Sequence, residues 1–274
     1  MKKEEEKELK NGGMEINKIY NENCIDTMTR MPDNFIDLTV TSPPYDNLRT
    51  YNGYCFDFEN VAKELFRVTK QGGVLVWVVG DATHKGSETG TSFKQALFFK
   101  EIGFRLHDTM IYEKNSASYP AHRKSTRYTQ IFEYMFIFCK GRIKTHNLIC
   151  DKKNKWAGYK DFSGKLKNPV PDFSPRNNIW KYTTSFNDKS NHPAVFPEEL
   201  VQDHILTWSN ESDLVYDPFM GSGTTAKMAM LNNRNYIGSE ISKEYCEIAE
   251  QRLKMCGGLF SNSFQTEFSN EAGT

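Results

Sequence analysis

The 274-residue sequence lacks several features that identify whole classes of protein. It has no run of about eighteen consecutive apolar residues, which argues against a helix that crosses a membrane. Residues 1–10 are mostly charged and contain no apolar signal-peptide core, so we expect a cytoplasmic protein that does not bind membranes. The cysteines form no CxxC pair and have no histidine at zinc-ligand spacing. We therefore predict neither a metal site nor a disulfide for the cysteines at positions 24, 55, 139, 150, 246 and 256.

The sequence also lacks an excess of charge of either sign and the common nucleotide-binding signatures. The 35 basic residues balance 35 acidic ones, so the formal net charge is zero. Because a neutral chain has no overall attraction for nucleic acid, any DNA-binding surface must be a local patch. Neither GxxxxGK[ST] nor the full GxGxxG occurs, which disfavours ATP and NAD as ligands.

Segments typical of strands and helices alternate along most of the chain. Apolar runs rich in β-branched residues predict strands at 35–41, 73–79, 106–112, 134–139, 213–217 and 235–238. Helical periodicity predicts helices at 58–69, 91–102, 197–208, 224–231 and 243–255. This alternation predicts an α/β fold with a doubly wound, mostly parallel sheet. We expect residues 14–256 to form the domain, residues 1–13 a disordered tail and residues 257–274 a flexible tail.

Residues 141–185 interrupt the alternation, and we interpret them as an insertion that projects from the sheet. The segment contains three prolines and few apolar runs. Eight lysines and arginines lie between positions 151 and 181, with five aromatic residues among them. A basic surface interrupted by aromatic side chains suits contacts with DNA phosphates and entry into a groove. A solvated lysine-rich loop is the alternative interpretation.

A glycine-containing turn follows the strand predicted at 213–217. Gly221 and Gly223 lie in the run DPFMGSGTT and allow a tight turn that approaches a ligand closely. The helix predicted to begin near Thr224 offers free N–H groups and a positive dipole end. The next strand ends in Glu240, where doubly wound folds bind a nucleoside ribose. Together these features favour an adenosine-containing cofactor, although each alone would fit an ordinary turn or a solvated strand end.

A second motif, TSPPY at residues 41–45, lies where the strand predicted at 35–41 ends. Ligands bind at this end of the strands in an open α/β sheet. Pro43 and Pro44 stiffen the loop and donate no backbone hydrogen bond, so the loop presents carbonyls, the Ser42 hydroxyl and the Tyr45 ring. Rigid acceptors suit an NH₂ group, and a flat ring suits stacking on a base. By itself the motif would also fit a Pro-Pro turn with a packed tyrosine.

The two motifs together resemble those of the amino-group DNA methyltransferases. DPFMGSGTT at 217–225 is similar to the S-adenosylmethionine (SAM) motif of that family, and TSPPY at 41–45 to its catalytic motif. The catalytic motif comes first, which is the circularly permuted order of the β group. NENCIDTM at 21–28 and HPAVFP at 192–197 resemble two further family segments, with an asparagine at 23 where an aspartate is more usual. The resemblance covers residues 14–255 and implies a Rossmann-like sheet of seven strands, one of them antiparallel.

The resemblance also implies roles for individual residues. The catalytic residues would be Ser42, Pro43, Pro44 and Tyr45. The SAM pocket would be formed by Asn23, Cys24, His192, Pro193, Phe196, Asp217, Pro218, Phe219, Gly221, Gly223 and Thr224, with Glu240 on the ribose hydroxyls. We predict DNA contacts by Arg123, Lys124, Arg127, Lys152, Lys153 and Lys155, and target recognition by residues 141–185. The product of SAM would be S-adenosylhomocysteine, and no metal is implied.

The reaction implied by the resemblance is methylation of a base amino group in double-stranded DNA after the base has been flipped out. The family associates serine at the first position of the catalytic motif mainly with N4 of cytosine, and aspartate or asparagine mainly with N6 of adenine. We therefore predict N4-cytosine methylation, with N6-adenine methylation as the alternative. Other acceptors of the same kind, RNA or a protein glutamine amide, and a catalytically silent DNA-binding module stay open. The sequence also leaves open a cognate restriction endonuclease and a homodimer as partners.

Overall fold

The computed structural model describes residues 13–44, 56–115, 124–160, 168–183 and 196–267, with side chains up to residue 256. The described strands are β1 (Lys18–Tyr20), β2 (Ile36–Thr41), β3 (Thr69–Val79), β4 (Thr83–His84), β5 (Ser87–Glu88), β6 (Arg105–Lys114), β7 (Phe132–Cys139), β8 (Lys152–Lys153), β9 (Phe173–Ser174), β10 (Ile179–Tyr182), β11 (Leu214–Asp217) and β12 (Asn235–Ser239). The described helices are α1 (Cys24–Arg30), α2 (Phe58–Val68), α3 (Thr91–Glu101), α4 (Glu198–Trp208), α5 (Thr224–Leu231) and α6 (Lys243–Glu267).

Eight of these strands form one central sheet, in the order β1-β12-β11-β2-β3-β7-β6-β10. Within the described part of the chain, β7 is the one strand of this sheet that runs antiparallel to its neighbours, β3 and β6. The predicted α/β class and mostly parallel sheet are therefore confirmed. The sheet has eight strands rather than the expected seven, since the short strand β10 is added at the edge, parallel to β6.

Helices cover both faces of the sheet, as a doubly wound fold requires. One apolar core lies between the sheet and α1, α2 and α3, and a second lies between the sheet and α4, α5 and α6. Helix α2 illustrates why the sequence folds in this way. Val61, Leu65 and Val68 recur at helical spacing and are completely buried, while Asp57 caps the first turn by accepting from Asn60 N.

The connections of the sheet diverge between β2 and β11, which are adjacent and parallel. After β11 the chain passes through α5 to β12, on one side of this pair. After β2 it passes through α2 to β3, on the other side. A crevice lies outside the carboxyl ends of the strands wherever neighbouring connections leave in opposite directions. The fold thus brings two parts of the chain to the same crevice. They are the TSPP segment (residues 41–44), which begins at the last residue of β2, and the glycine turn (residues 218–223), which follows β11.

The segment predicted as an insertion is only partly separate from the sheet. Strand β10 belongs to the sheet, because alternate residues of Ile179–Tyr182 are buried against it. Strands β8 and β9 pair with each other in an arm, defined here as residues 151–160 and 168–176. Gly158 N donates to Val170 O at 2.8 Å and extends the pairing of this arm.

Three further features bear on the expectations from the sequence. Helix α6 continues to Glu267, past residue 257, where we expected a flexible tail to begin. None of the described helices is both long enough and apolar enough to cross a membrane. Among the described residues, no group of three or more His, Cys, Asp or Glu side chains is placed to hold a metal ion.

Candidate active site

Residues 218–223 form a tight turn between β11 and α5. Phe219 N donates to Asp217 Oδ1 at 3.0 Å, and Gly223 N donates to the Met220 carbonyl at 3.0 Å. Gly221 and Gly223 have φ angles of 53° and 84°, in the left-handed region that favours glycine. The turn therefore has a conformation that its two glycines make possible, and its own hydrogen bonds stabilise it.

Close packing adds a second reason for glycine at position 223. A Cβ atom there would lie 2.7 Å from Cβ of Ala249 on α6, closer than real Cβ atoms approach. Helix α5 begins directly after Gly223, and no side chain caps its first turn. The N–H groups of a helical first turn have no partner within the helix. They are therefore suited to bind a polar or anionic group of a ligand placed on the turn.

Glu240 follows β12 and directs its carboxylate to the glycine turn. Oε2 accepts from Gly221 N at 2.8 Å, and Oε1 accepts from Ser242 N at 2.8 Å. Burial raises the pKa of Glu240, while its hydrogen bonds to backbone N–H groups act in the opposite direction. A carboxylate has about four acceptor positions, so both oxygens can still accept hydroxyl groups from a ligand.

Asp217 is buried under the turn and joins it to β2. Its Oδ1 accepts from Thr41 Oγ1 at 2.7 Å as well as from Phe219 N, and its Oδ2 accepts from Thr225 Oγ1 at 2.7 Å. Burial raises the pKa of Asp217 to about 6, although these three hydrogen bonds favour the ionised form. The carboxylate thus accepts from β2, from the turn and from the first turn of α5.

The TSPP segment begins where β2 ends, at the same edge of the sheet as the glycine turn. Ser42 and Pro44 are half-buried and Pro43 is buried, while Tyr45 lies outside the described residues. Thr41 donates to Asp217 under the turn, and Ser42 directly follows Thr41, with consecutive Cα atoms about 3.8 Å apart. The crevice can therefore hold one ligand on the turn and present a hydroxyl and carbonyls to a second ligand.

A family model for N6/N4 DNA methylases matches residues 36–251. The matched range contains β2, the TSPP segment, the glycine turn and Glu240. The chain belongs to the N6/N4 DNA methylase family. The protein is accordingly a DNA methyltransferase of the amino-group class, as the sequence predicts.

Individual relatives agree with the family match. The methylase is 63% identical over 238 residues to the orphan methyltransferase M.BamHII of Bacillus amyloliquefaciens, across 80% of this chain and 89% of that protein. Its fold is similar to the PvuII DNA methyltransferase (cytosine-N4-specific), with a TM-score of 0.66 and 22% identity over 85% of each chain. It is also similar to M1.HpyAVI in a complex with SAM, with a TM-score of 0.59 and 26% identity, across 86% of this chain and 98% of that chain.

Two predicted cofactor residues of the methylase lie after β1, beside the end of β12. Asn23 caps α1, since its side chain accepts from Ile25 N at 2.9 Å. Cys24 is buried, and burial raises the pKa of its thiol to about 12, which leaves it protonated near neutral pH. Asn21, which the sequence analysis did not single out, donates to the Glu240 carbonyl at 2.8 Å. This side chain therefore links the segment after β1 to the end of β12.

Another predicted cofactor residue, Thr224, directs its hydroxyl to α6. Its Oγ1 lies 3.3 Å from Arg252 Nη1, which also donates to the Ser222 carbonyl at 2.7 Å. Arg252 Nη2 donates to Glu198 on α4 at 2.7 Å, so this arginine of α6 links the turn to α4. Arg252 was not predicted, because nothing in the local pattern of α6 distinguishes it from a solvated arginine. Of the other predicted cofactor residues, Pro218 is buried, Phe219 and Phe196 are half-buried, and His192 and Pro193 lie outside the described residues.

The predicted DNA-contacting residues occupy two parts of the surface. Lys124 and Arg127 are exposed in the loop that follows the carboxyl end of β6. Arg127 donates to the Gly86 carbonyl and to Glu88, the latter at 3.3 Å, and so contacts the β4–β5 turn. The remaining predicted residues are Lys152, Lys153 and Lys155, which are exposed on the arm, and Arg123, which lies outside the described residues.

Two cations that we counted in the basic surface are paired with carboxylates. Arg176 contacts Asp151 and Asp203, each at 2.6 Å, and thereby anchors the arm to α4. Lys181 contacts Glu113 at 2.7 Å. Within the described residues, the basic character of this region therefore depends on the exposed lysines of the arm.

Proposed function

We propose that this methylase transfers a methyl group from SAM to the exocyclic N4 of cytosine in double-stranded DNA in the cytoplasm. The observation that carries the proposal is the 2.7 Å hydrogen bond between Thr41 Oγ1 and Asp217 Oδ1, which holds the TSPP segment against the glycine turn. A donor bound on the turn and an NH₂ group bound by the segment would face each other in one crevice. A base cannot reach such a crevice while stacked in the duplex, so it must first flip out.

The residues around the glycine turn fit a donor that contains adenosine and an amino acid. Glu240 has acceptor positions for ribose hydroxyls, and the uncapped first turn of α5 favours a carboxylate. Gly221 and Gly223 leave room for a ligand to approach the backbone closely. When bound, SAM supplies a methyl group on a positively charged sulfur that is already activated for displacement.

The residues of the TSPP segment act on the target base. The Ser42 hydroxyl and the Pro43 carbonyl accept hydrogen bonds from the two amino hydrogens, which localises the lone pair on the nitrogen. The Tyr45 ring stacks on the flipped base and offsets part of the energy lost on unstacking. Catalysis then consists of orientation and electrostatic stabilisation, and needs no covalent enzyme intermediate. Cys24, whose burial raises its pKa to about 12, has no nucleophilic role in this scheme.

Two observations favour cytosine as the target. Ser42 occupies the first position of the catalytic motif, where the amino-group DNA methyltransferases associate serine mainly with N4 of cytosine. The similar PvuII enzyme is named as cytosine-N4-specific. The test is to incubate the protein and SAM with DNA from a host without amino-group methylation, digest the DNA to nucleosides and analyse them by mass spectrometry. We expect N4-methylcytosine. N6-methyladenine alone would reject the choice of base, and tight DNA binding without any methylated nucleoside would favour the silent binding module.

The arm is the element that we propose for contact with DNA beyond the flipped base. Lys152, Lys153 and Lys155 are exposed on it, and Trp156 is 66% exposed with Lys155 Nζ 5.7 Å from its ring centroid. Lysines on such a surface bind phosphates and release counterions, so binding weakens as salt rises.

Alanine at the three lysines should weaken DNA binding and reduce the slope of log K against log salt by about 2 to 3. Fluorescence anisotropy over a salt series measures both quantities. The matched control is the double variant Lys243→Ala, Lys254→Ala, which removes two exposed cations of α6. Unchanged binding by the triple variant, or an equal effect of the control, would remove these lysines from the DNA surface.

A further inference from the structure

The bond between Thr41 and Asp217 links the ends of β2 and β11 beyond their last registered backbone pair. The registered pairs between β2 and β11 are Leu38 with Val215 and Thr39 with Tyr216. Beyond these pairs, β2 is linked to this part of the site by the Thr41 side chain and by a longer contact from Thr225 Oγ1 to the Val40 carbonyl, at 3.4 Å. The buried Thr41 hydroxyl donates to Asp217 Oδ1 at 2.7 Å.

The Asp217 carboxylate transmits this contact to the glycine turn. The same Oδ1 accepts from Phe219 N at 3.0 Å, inside the turn, and Oδ2 accepts from Thr225 Oγ1 at 2.7 Å, in the first turn of α5. A carboxylate is rigid and planar, so moving Thr41 relative to Asp217 must break or bend at least one of these hydrogen bonds. The position of β2 is therefore coupled to the position of the turn by three bonds to one buried group.

Thr41 is the residue directly before Ser42, so this coupling also applies to the TSPP segment. Reactions that depend on orientation are sensitive to small displacements, because the reacting atoms must lie about 3 to 3.5 Å apart and in line. A displacement of the segment relative to the turn changes that alignment without removing any group that touches a reactant.

We propose that Thr41 is a positioning residue for methyl transfer. Its hydroxyl, acting through the Asp217 carboxylate, sets the alignment of the TSPP segment with the glycine turn. This inference rests on the proposed function, in which the segment holds the target amino group and the turn holds the methyl donor. It assigns Thr41 no contact with either reactant.

The chain offers a matched control for Thr41 on the same strand. Thr39 lies two residues earlier, on the same face of β2, and is also completely buried. Within the described part of the chain, its hydroxyl has no hydrogen-bond partner. The substitutions Thr39→Val and Thr41→Val are therefore the same chemical change in similar surroundings, and only the second removes a hydrogen bond.

The test compares SAM affinity with the rate of methyl transfer. SAM binding is measured by calorimetry, and a single turnover of labelled methyl groups is measured on DNA from a host without amino-group methylation. For Thr41→Val we expect SAM affinity within about twofold of the wild type and a transfer rate at least about tenfold lower. Thr41→Ser restores the donor and should recover most of the rate, while Thr39→Val should leave both quantities unchanged.

Other outcomes would overturn the inference. They are a wild-type transfer rate in Thr41→Val, an equal loss in Thr39→Val, or a loss of SAM affinity that matches the loss of rate. If Thr41→Val does not fold, the rate of methyl transfer is measured for Thr41→Cys instead, because a thiol of similar size donates only weakly. An intermediate rate is expected, and a wild-type rate would reject the positioning role. Failure of the proposed function is distinguishable, since the wild-type protein would then transfer no label to DNA or would place the label on adenine.

Discussion

Replacing Asp217 by asparagine should stabilise the methylase while slowing it. Burial raises the pKa of this carboxyl from its ordinary value of 3.8 to about 6. Because one pKa unit corresponds to 1.36 kcal/mol, the ionised form is about 3 kcal/mol less favourable in the folded protein than in the unfolded chain. Asparagine has nearly the same shape and stays neutral. It should therefore relieve most of this penalty without opening a cavity.

The difference in free energy of unfolding between Asp217→Asn and the wild type depends on pH, in a way that follows from the direction of the pKa change. Above pH 6 the carboxyl is ionised in both states, so the full penalty applies to the wild type and the variant should be more stable by up to about 3 kcal/mol. As the pH falls from 6 towards 3.8, the folded protein takes up a proton before the unfolded chain does, and the difference should shrink. Below 3.8 both states are protonated and this difference should disappear.

Urea denaturation of the wild type and the variant without ligands, from pH 4 to 8, measures this difference in free energy of unfolding directly. Methyl transfer by the variant should be slower, because asparagine keeps one weaker acceptor oxygen and puts an NH₂ group, which cannot accept, in place of the other. Thr41 and Thr225, which donate to different oxygens of the carboxylate, can then no longer both donate to residue 217. A variant less stable than the wild type at pH 8 would refute the reasoning. So would a gain in stability that does not diminish towards pH 4.

Three further predictions concern the core, the turn and the catalytic segment. His204 is completely buried, which lowers its pKa to about 3. Because the unfolded chain takes up a proton on this histidine first as the pH falls below 6.5, acidification should destabilise the wild type by up to about 5 kcal/mol and His204→Phe by less. Equal acid sensitivity of the two proteins in urea titrations would contradict this. Gly223→Ala should weaken SAM binding at least about tenfold by calorimetry, because the position has a φ of 84° and packs on α6, and wild-type affinity would count against the turn as the donor site. Ser42→Ala should retain SAM affinity and lose at least about tenfold in methyl transfer, whereas an unchanged rate would remove its hydroxyl from the mechanism.

The parts of the fold that the sequence predicted are those with a strong local pattern. Strands β2 and β11 lie inside a parallel sheet covered on both faces, and they are buried along nearly their whole length. They therefore appear in the sequence as apolar runs, each followed by a motif rich in Pro or Gly. Helix α5 was predicted with its observed limits, Thr224–Leu231, because the glycine turn marks its start.

Strand β10 was not predicted, for a physical reason. Ile179–Tyr182 has four residues, alternates between exposed and buried positions, and pairs with one neighbour at the edge of the sheet. A segment so short and half-exposed has little hydrophobic signal, and the prolines and asparagines before it are typical of a loop. Its strand conformation is determined by pairing with β6, a segment far away in the sequence, so the local sequence pattern does not predict it.

The candidate site was predicted as two motifs but not as a network. Thr41 and Asp217 are 176 positions apart in the chain, and no periodicity relates them. The same holds for Arg252 and Ser222, which meet only after α6 packs beside the turn. Spacing identified the groups suited to touch reactants, whereas the buried side chains that position them required the three-dimensional arrangement.

The central claim is that the glycine turn and the TSPP segment form one active site. The most direct test is a crystal structure of the protein with S-adenosylhomocysteine. We predict the ribose hydroxyls on the Glu240 carboxylate and the sulfur above the turn, facing Ser42. A nucleoside bound elsewhere, or a sulfur that faces away from Ser42, would contradict the claim.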